Sequence, residues 1–217
     1  MNDILDLIIS RRSIKQYFPK YVSWELISRI LEAGRHAPCS GNIQNWKFIV
    51  FIEPERKQKL VDLTHEQYEL SAAGALIVIC AELEKAERYY GQRGEELYSI
   101  QNCAAAAQNM LLEAASLGLG STWVGGFDEE GVKELCRLPE KVVPQVIIAV
   151  GFPKDIPSKP PKYPLETLVY FHSWRNKMRD PAKYMHEIAT ILSRKFTGVK
   201  EKLKQTAASV VSKVKED

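Results

Sequence analysis

Sixteen consecutive positions, Leu97 to Leu112, carry no charged side chain, and they lie within a longer stretch, Glu95 to Leu117, free of glycine and proline. No other pattern constrains the fold as much. A run of this length without a breaker reads as one helix over 95–117, and a helix with no charged face has to be buried on all sides. Its four alanines, Ala104 to Ala107, permit close approach of other helices. A chain of 217 residues has little material to surround such a helix and still build a sheet. The helix is therefore expected at a large interface between two copies of the chain. Gly118 and Gly120 end it.

Around this helix the hydrophobic pattern switches between the two regular periods. Asp3 to Ser10 places Ile4, Leu5, Ile8 and Ile9 at helical spacing; a second helix runs from the N-cap candidate Ser23 through Leu26, Ile27, Ile30 and Leu31 until Gly34 and Pro38 break it. Trp46 to Glu53 is aromatic and β-branched and reads as a strand, followed by a charged helix from Pro54 to about Leu70. Ala75 to Ala81 reads as a second, buried strand. Beyond the long helix a short strand is expected at Ser121 to Val124, a helix at Asp128 to Cys136 and a strand at Gln145 to Phe152. Prolines at 153, 157, 160, 161 and 164 then mark a crossing segment before a last expected strand, Thr167 to Phe171. Strands separated by helices at irregular intervals, with a late crossing, predict an α+β sandwich rather than a doubly wound sheet. No Gly-x-Gly-x-x-Gly follows any strand, which argues against a Rossmann dinucleotide site.

Composition excludes several classes. The longest apolar runs, Ala75 to Ala81 and Val146 to Val150, fall short of the roughly 18 residues a membrane span needs, and the opening Met1-Asn2-Asp3-Ile4 lacks the basic start of a signal peptide. Cys39, Cys80, Cys103 and Cys136 form no Cys-x-x-Cys pair, which suits free thiols in a reducing cytoplasm. A net charge of +3 is too small to imply nucleic-acid binding. It is unevenly spread: residues 174–217 hold 11 Lys and Arg against 5 Asp and Glu, on a mildly acidic body. In that tail Met185, Ala189, Leu192, Phe196, Val199, Leu203, Val210 and Val214 recur at near-heptad spacing. Such a stripe suits packing on another helix, and a basic amphipathic helix also suits an anionic membrane surface. The chain is read as a body, 1–172, and a basic amphipathic helical extension, 173–217.

Three segments carry the chemistry. Arg11-Arg12-Ser13-Ile14-Lys15 offers a phosphate ester two guanidiniums, a hydroxyl and an ammonium, although basic residues at a helix end also answer the macrodipole. Ala37 to Trp46 packs small polar side chains after Pro38 and just before a strand, where rigid scaffolds position ligand contacts. Gly118 to Phe127 is dense in glycine, which lets backbone N–H groups approach a flat ligand; a helix C-cap and a bulged strand would need the same residues.

Taken together, in this order and spacing, the three segments closely resemble the FMN-dependent nitroreductase family. That family shows an Arg-Arg-Ser-x-Arg/Lys opening, an Ala-Pro-Ser-Ser-x-Asn-x-Gln-Pro-Trp loop and a Gly-Leu-Gly-x-x-Trp-x-Gly-Gly/Ala-Phe turn. Val146 to Pro153 looks like its apolar strand ending in Gly-x-Pro, and the likeness covers roughly residues 3 to 172. The resemblance implies a three-layer α/β/α sandwich with a mixed, mainly antiparallel sheet, in an intertwined homodimer. It implies an NAD(P)H-dependent oxidoreductase that holds FMN at the subunit interface and reduces small planar acceptors such as nitroaromatics or quinones by a ping-pong route. By the same resemblance Arg11, Arg12 and Ser13 hold the phosphate and ribityl end, and Lys15 reaches the pyrimidine edge. Trp123, Val124, Gly125 and Gly126 lie along the ring with the Gly125 N–H toward N5, so Gly125 and Lys15 are the groups that serve catalysis. Pro38, Cys39, Ser40 and Asn42 come from the other subunit. Gln67 is the candidate amide for the pyrimidine, and Lys162 stands where the family usually has a phosphate-binding Arg.

Three departures fall on the family's pattern: Cys39 for Ser, Asn45 for Pro and Lys162 for Arg. They bear on the substrate pocket and redox tuning. Other readings, a dehalogenase-like or flavin-consuming member of the same superfamily, or a non-catalytic flavin-binding sensor or partner-binding protein, stay open at this point. His36 and Cys39 read as a structural pair and Asp128-Glu129-Glu130 as the acidic first turn of a helix rather than a metal site; Tyr89-Tyr90 lies in a polar stretch where the resemblance implies a substrate-side flap, although an exposed tyrosine pair is equally often inert.

Overall fold

The computed structural model of the chain describes residues 3–177 and divides into two compact units, Met1–Lys159 and Pro160–Asp217. The apolar stripe expected from Met185 onward lies outside the described residues. Among them, no helix is long and apolar enough to cross a membrane.

In the first unit five strands form one sheet: β1 (Tyr17–Phe18), β2 (Trp46–Phe51), β3 (Ala75–Glu82), β4 (Gly120–Val124) and β5 (Val142–Pro153). β5 has β3 on one side and both β1 and β4 on the other, and β2 forms the far edge beyond β3. These pairs are all antiparallel; one parallel bridge, Ser13 to Ser121, lays the Arg11–Lys15 segment alongside β4. The expected mixed, mainly antiparallel sheet is borne out.

β3 and β5 are apolar at consecutive positions because both of their faces are covered. Ile77, Ile79, Val146 and Ile148 share one core with Ile27 and Ile30 of α2 (Trp24–Arg35) and with Cys103, Ala107 and Met110 of α5 (Ser99–Ser116). Leu76, Val78, Ile147 and Ala149 share the other with Leu60 and Val61 of α3 (Pro54–Val61) and Val132 of α6 (Glu129–Cys136). Two cores back to back make the α/β/α sandwich. Where β5 contains Pro144, the register with β3 slips between Ile79 and Cys80, a bulge at the place where the proline has no ladder donor.

Local signals set most helix starts. Asp3 caps α1 (Ile4–Ser10), accepting from Leu5 N at 3.3 Å; Ser23 caps α2, accepting from Leu26 N at 3.4 Å; Asp128 caps α6, accepting from Gly131 N at 3.2 Å. Elsewhere the chain departs from its sequence pattern. The charged helix expected to reach Leu70 stops at Val61: Thr64 Oγ1 donates to the Val61 carbonyl at 2.6 Å, and His65 and Glu66 turn left-handed at φ 48° and 65°. A helix cannot continue through those angles, so Tyr68–Ala72 is a separate 3₁₀ turn.

The polar stretch after β3, read as a flap, is a helix, α4 (Leu83–Arg93), kinked where Gly91 adopts φ 58°. A π-helical turn, Gly94–Tyr98, joins it to α5, so the long helix is α-helical only from Ser99. Nor is α5 buried all round within one chain: Ile100 is 51% exposed, and Gln101 and Gln108 are exposed beside it. The strand expected at Thr167–Phe171 is also corrected. Leu165–Leu168 is one helical turn, α7, closed by Thr167 Oγ1 donating to the Pro164 carbonyl at 2.7 Å, and the chain is extended only from Val169.

All four cysteines are free, and burial pushes the Cys80 and Cys103 thiols from 9.0 up to about 12. Burial raises Tyr17 as well. These groups keep protons in the folded state that the unfolded chain surrenders in alkali. Their contribution to stability is therefore whole below about pH 9 and is lost as pH rises toward 12. Lys57, whose Nζ donates to the Ala73 carbonyl, is lowered by burial and works in the opposite sense. The urea midpoint is expected to fall between about pH 9 and 11, and to fall less in Cys103→Ala. A midpoint that stays level, or an equal fall in the variant, would count against the buried thiols.

Candidate functional site

The Arg11–Lys15 segment is held by its own alternation. Arg11 ends α1, its N–H donating to the Leu7 carbonyl at 3.0 Å while its ψ of 135° turns the chain extended. Arg12 Nη1 donates back to the carbonyls of Ile9, Ser10 and Arg11 at 2.8, 3.0 and 2.8 Å, closing the helix end and leaving its Nε and Nη2 free of protein acceptors among the described residues. Ile14 is then buried, its N–H on the Ser121 carbonyl at 3.0 Å and its own carbonyl taken by the Tyr17 hydroxyl at 2.6 Å. With Ile14 inward, Ser13 and Lys15 stand outward and exposed. Neither Arg11 nor Lys15 has a carboxylate partner among the described residues.

Because the bridge is parallel, the segment runs in the direction of β4 toward the glycine turn. There Val124 is buried, Trp123 is 43% exposed, and Gly125 and Gly126 are exposed. A Cβ placed on Gly125 would meet only Trp123 Nε1 at 3.4 Å, and one on Gly126 only His65 Cδ2 at 3.6 Å. Neither glycine has a positive φ. The chain itself does not need glycine at 125 or 126, so the cleared surface suits a group from outside the chain. Gln67 completes this corner: its amide nitrogen donates to the carbonyls of Thr64 at 2.9 Å and Gly126 at 3.3 Å, leaving Oε1 as a free acceptor.

The loop from Pro38 is a left-handed knot. Gly41, Asn42 and Gln44 have φ of 50°, 57° and 46°, and a side chain on Gly41 would collide with the Tyr90 hydroxyl. Gln44 N–H donates to Cys39 Sγ at 3.3 Å. The knot is tied to α5 through a buried relay that the sequence did not reveal. Ser40 N and Oγ both donate to Asn102 Oδ1, at 3.0 and 3.3 Å; Asn102 Nδ2 donates to Asn45 Oδ1 at 2.8 Å; Asn45 Nδ2 donates to Ser99 Oγ at 3.0 Å. Asn45 is fully buried, so the residue found where the family has proline is a structural amide. Its only sequence signal was a pair of polar residues, Ser99 and Asn102, spaced i, i+3 on an apolar helix.

Sheet register separates the two clusters. Ser13 lies beside Ser121, opposite Val150 at one end of β5; Trp46, which follows the knot, lies three strands away from β4 beside Ala81, opposite Val143 at the other end. Strand spacing and rise put them on the order of 25 Å apart within one chain. Arg11, Arg12, Ser13, Lys15, Gln67, Trp123, Val124, Gly125 and Gly126 thus share one corner, and Pro38, Cys39, Ser40 and Asn42 another. Lys162 is exposed in the second unit. His36 pairs with Glu32 at 3.0 Å rather than with Cys39.

The profile of the Nitroreductase family matches residues 8–76 and 63–152. A protein of Archaeoglobus fulgidus, provisionally named NADH dehydrogenase/NAD(P)H nitroreductase, is 36% identical over 159 residues, 71% of this chain and 88% of that one. An FMN reductase (NADPH) of Bacillus subtilis is 28% identical over 187 residues, 80% of this chain and 75% of that one. Among solved structures, NfrA2 of B. megaterium superposes with a TM-score of 0.75 at 26% identity, over 91% of this chain and 86% of that one. Motif order, sheet topology and these matches agree, and the chain belongs to the nitroreductase family.

Proposed function

We propose that the chain is an FMN-dependent oxidoreductase that draws electrons from NADH or NADPH and delivers them to small planar acceptors, nitroaromatics or quinones, as a homodimer. The observation that carries this reading is the pinning of Arg11 and Lys15, which have no carboxylate partner among the described residues, on a segment that runs toward two glycines the fold does not itself require. FMN, when bound, supplies the two-electron chemistry. Arg11, the free edge of Arg12 and Ser13 would hold the phosphate and ribityl chain. Lys15 would set a positive charge at the pyrimidine edge, and Gln67 Oε1 would accept from the ring imide. The Gly125 N–H would orient N5, the exposed Trp123 would lie beside the ring, and Val124, whose side chain is buried, would meet it through its backbone.

A second copy supplies the other wall. The estimated distance between the clusters keeps Pro38, Cys39, Ser40 and Asn42 from reaching the flavin of their own chain, which supports a site built across two chains. The uncharged strip of α5 formed by the exposed Ile100, Gln101 and Gln108 and the half-buried Ala104, and the exposed Ile4 and Ile8 of α1, suit burial in that seam.

Purified protein is expected to be yellow, to release FMN on denaturation at one per subunit of a dimer, and to give parallel double-reciprocal plots with NAD(P)H and a quinone. A colourless monomer would overturn the reading, and a yellow dimer that does not consume NAD(P)H would leave only a flavin-binding protein. Gly125→Ala is expected to keep its melting temperature as apoprotein, since its Cβ meets only ordinary contact, and to bind FMN about tenfold more weakly. Unchanged affinity would free Gly125 from the site.

A further inference from the structure

Beside the knot lies a cleft of about 490 Å³, lined by Gly41, Asn42, Ile43, Gln44, Lys47, Lys85, Tyr89 and Tyr90. That volume is in the range of small-molecule sites. No acidic residue lines it. Four cations crowd this end of the sheet, and three are already neutralised: Lys47 by Glu82 at 3.1 Å, Arg88 by Glu84 at 3.4 Å, and Lys141 by Glu95 at 2.9 Å. Lys85 has no carboxylate partner among the described residues. It is half-buried on α4, on the wall of the cleft, with the strongly exposed Tyr89 one turn along the same helix. The Tyr89 ring lies 6.5 Å from that of Tyr90, which packs over Gly41.

We infer that this cleft takes the phosphorylated adenosine end of NADPH, with Lys85 binding the 2′-phosphate and Tyr89 stacking on the adenine, and that it makes the protein prefer NADPH to NADH. The inference rests on the proposed flavin site. If Ser40 and Asn42 touch the flavin of the partner chain, a nicotinamide stacked on that flavin carries its dinucleotide tail out past the same loop, and Gly41, Asn42 and Gln44 form the near wall of the cleft. The two donors differ only in the 2′-phosphate, a dianion near neutral pH. An unpaired ammonium in a cleft without carboxylates discriminates between them. An exposed tyrosine face is the matching platform for a base.

The test uses the flavin-loaded protein. Lys85→Ala is expected to lower the ratio of kcat/KM for NADPH over that for NADH by about tenfold, and Lys85→Arg to restore most of it. Calorimetric titration with 2′,5′-ADP is expected to show tighter binding than 5′-AMP in the wild type, and Lys85→Ala to remove that difference. Tyr89→Ala is expected to weaken both nucleotides together. A donor ratio unmoved by Lys85→Ala, or equal binding of the two nucleotides by the wild type, overturns the inference while leaving the flavin enzyme intact. A preparation without flavin would instead defeat the proposed function, and the titrations would still report on the cleft.

Discussion

The double variant Arg11→Ala/Lys15→Ala is expected to purify without colour and to bind added FMN roughly 100- to 10,000-fold more weakly than the wild type. Each side chain would make a charge-assisted contact to the cofactor worth about 1.5–3 kcal/mol, and two such losses multiply in the dissociation constant. The fold gives up little, because neither residue has an ion-pair partner among the described residues and Lys15 is exposed. The backbone that positions them is held by Ile14, which is untouched. Flavin binding and stability should therefore separate: the apoproteins melt together, and only the wild type gains stability from added FMN. Full flavin occupancy in the double variant would refute the assignment of both residues to the flavin.

Asn102→Ala is expected to have the largest effect on the fold. It removes one residue and strands three buried or half-buried groups: Ser40 N–H, Ser40 Oγ and Asn45 Oδ1. Leaving such groups without partners costs about 3 kcal/mol, which for a chain of this size lowers the melting temperature by roughly 6 to 12 °C. Because Asn45 and Asn102 belong to one relay, the double variant Asn45→Ala/Asn102→Ala should lose clearly less than the sum of the two single changes. The knot that carries Ser40 and Asn42 would also loosen, raising the FMN dissociation constant even though Asn102 itself lies behind the loop. Additive losses with unchanged flavin affinity would mean that the relay holds nothing in place.

Much of the fold was readable from neighbours in sequence. Ser23 announced its helix because a cap is a bond to a residue only three positions on, and Asp3 and Asp128, where two other helical patterns begin, prove to be caps of the same local kind. The buried strands at Ala75 and Val146 announced themselves by unbroken apolar runs. The misreadings occurred where a nonlocal or left-handed feature overrode the pattern. The stretch from Pro54 to about Leu70 has a helical pattern, but His65 and Glu66 break it to bring Gln67 against Gly126. α4 is too polar to show a period, and its contacts are nonlocal: Leu83 packs against the core, Ala86 is buried and Tyr90 covers Gly41 of the knot. β1 spans only two residues, fewer than any alternation needs.

By itself the sequence determined the chemical inventory: the cations at 11–15, the polar loop at 38–42, the glycine turn at 123–126, and the order that relates them to the nitroreductases. Tertiary structure decided which of these meet. Ile14 finds Ser121 and Asn45 finds Asn102 only once the sheet has closed, since strand pairing joins residues far apart in the chain and no local preference encodes that register. The same register sets the Arg11–Lys15 corner and the knot at opposite ends of the sheet, and it is on that separation that the proposal of a site shared by two chains rests.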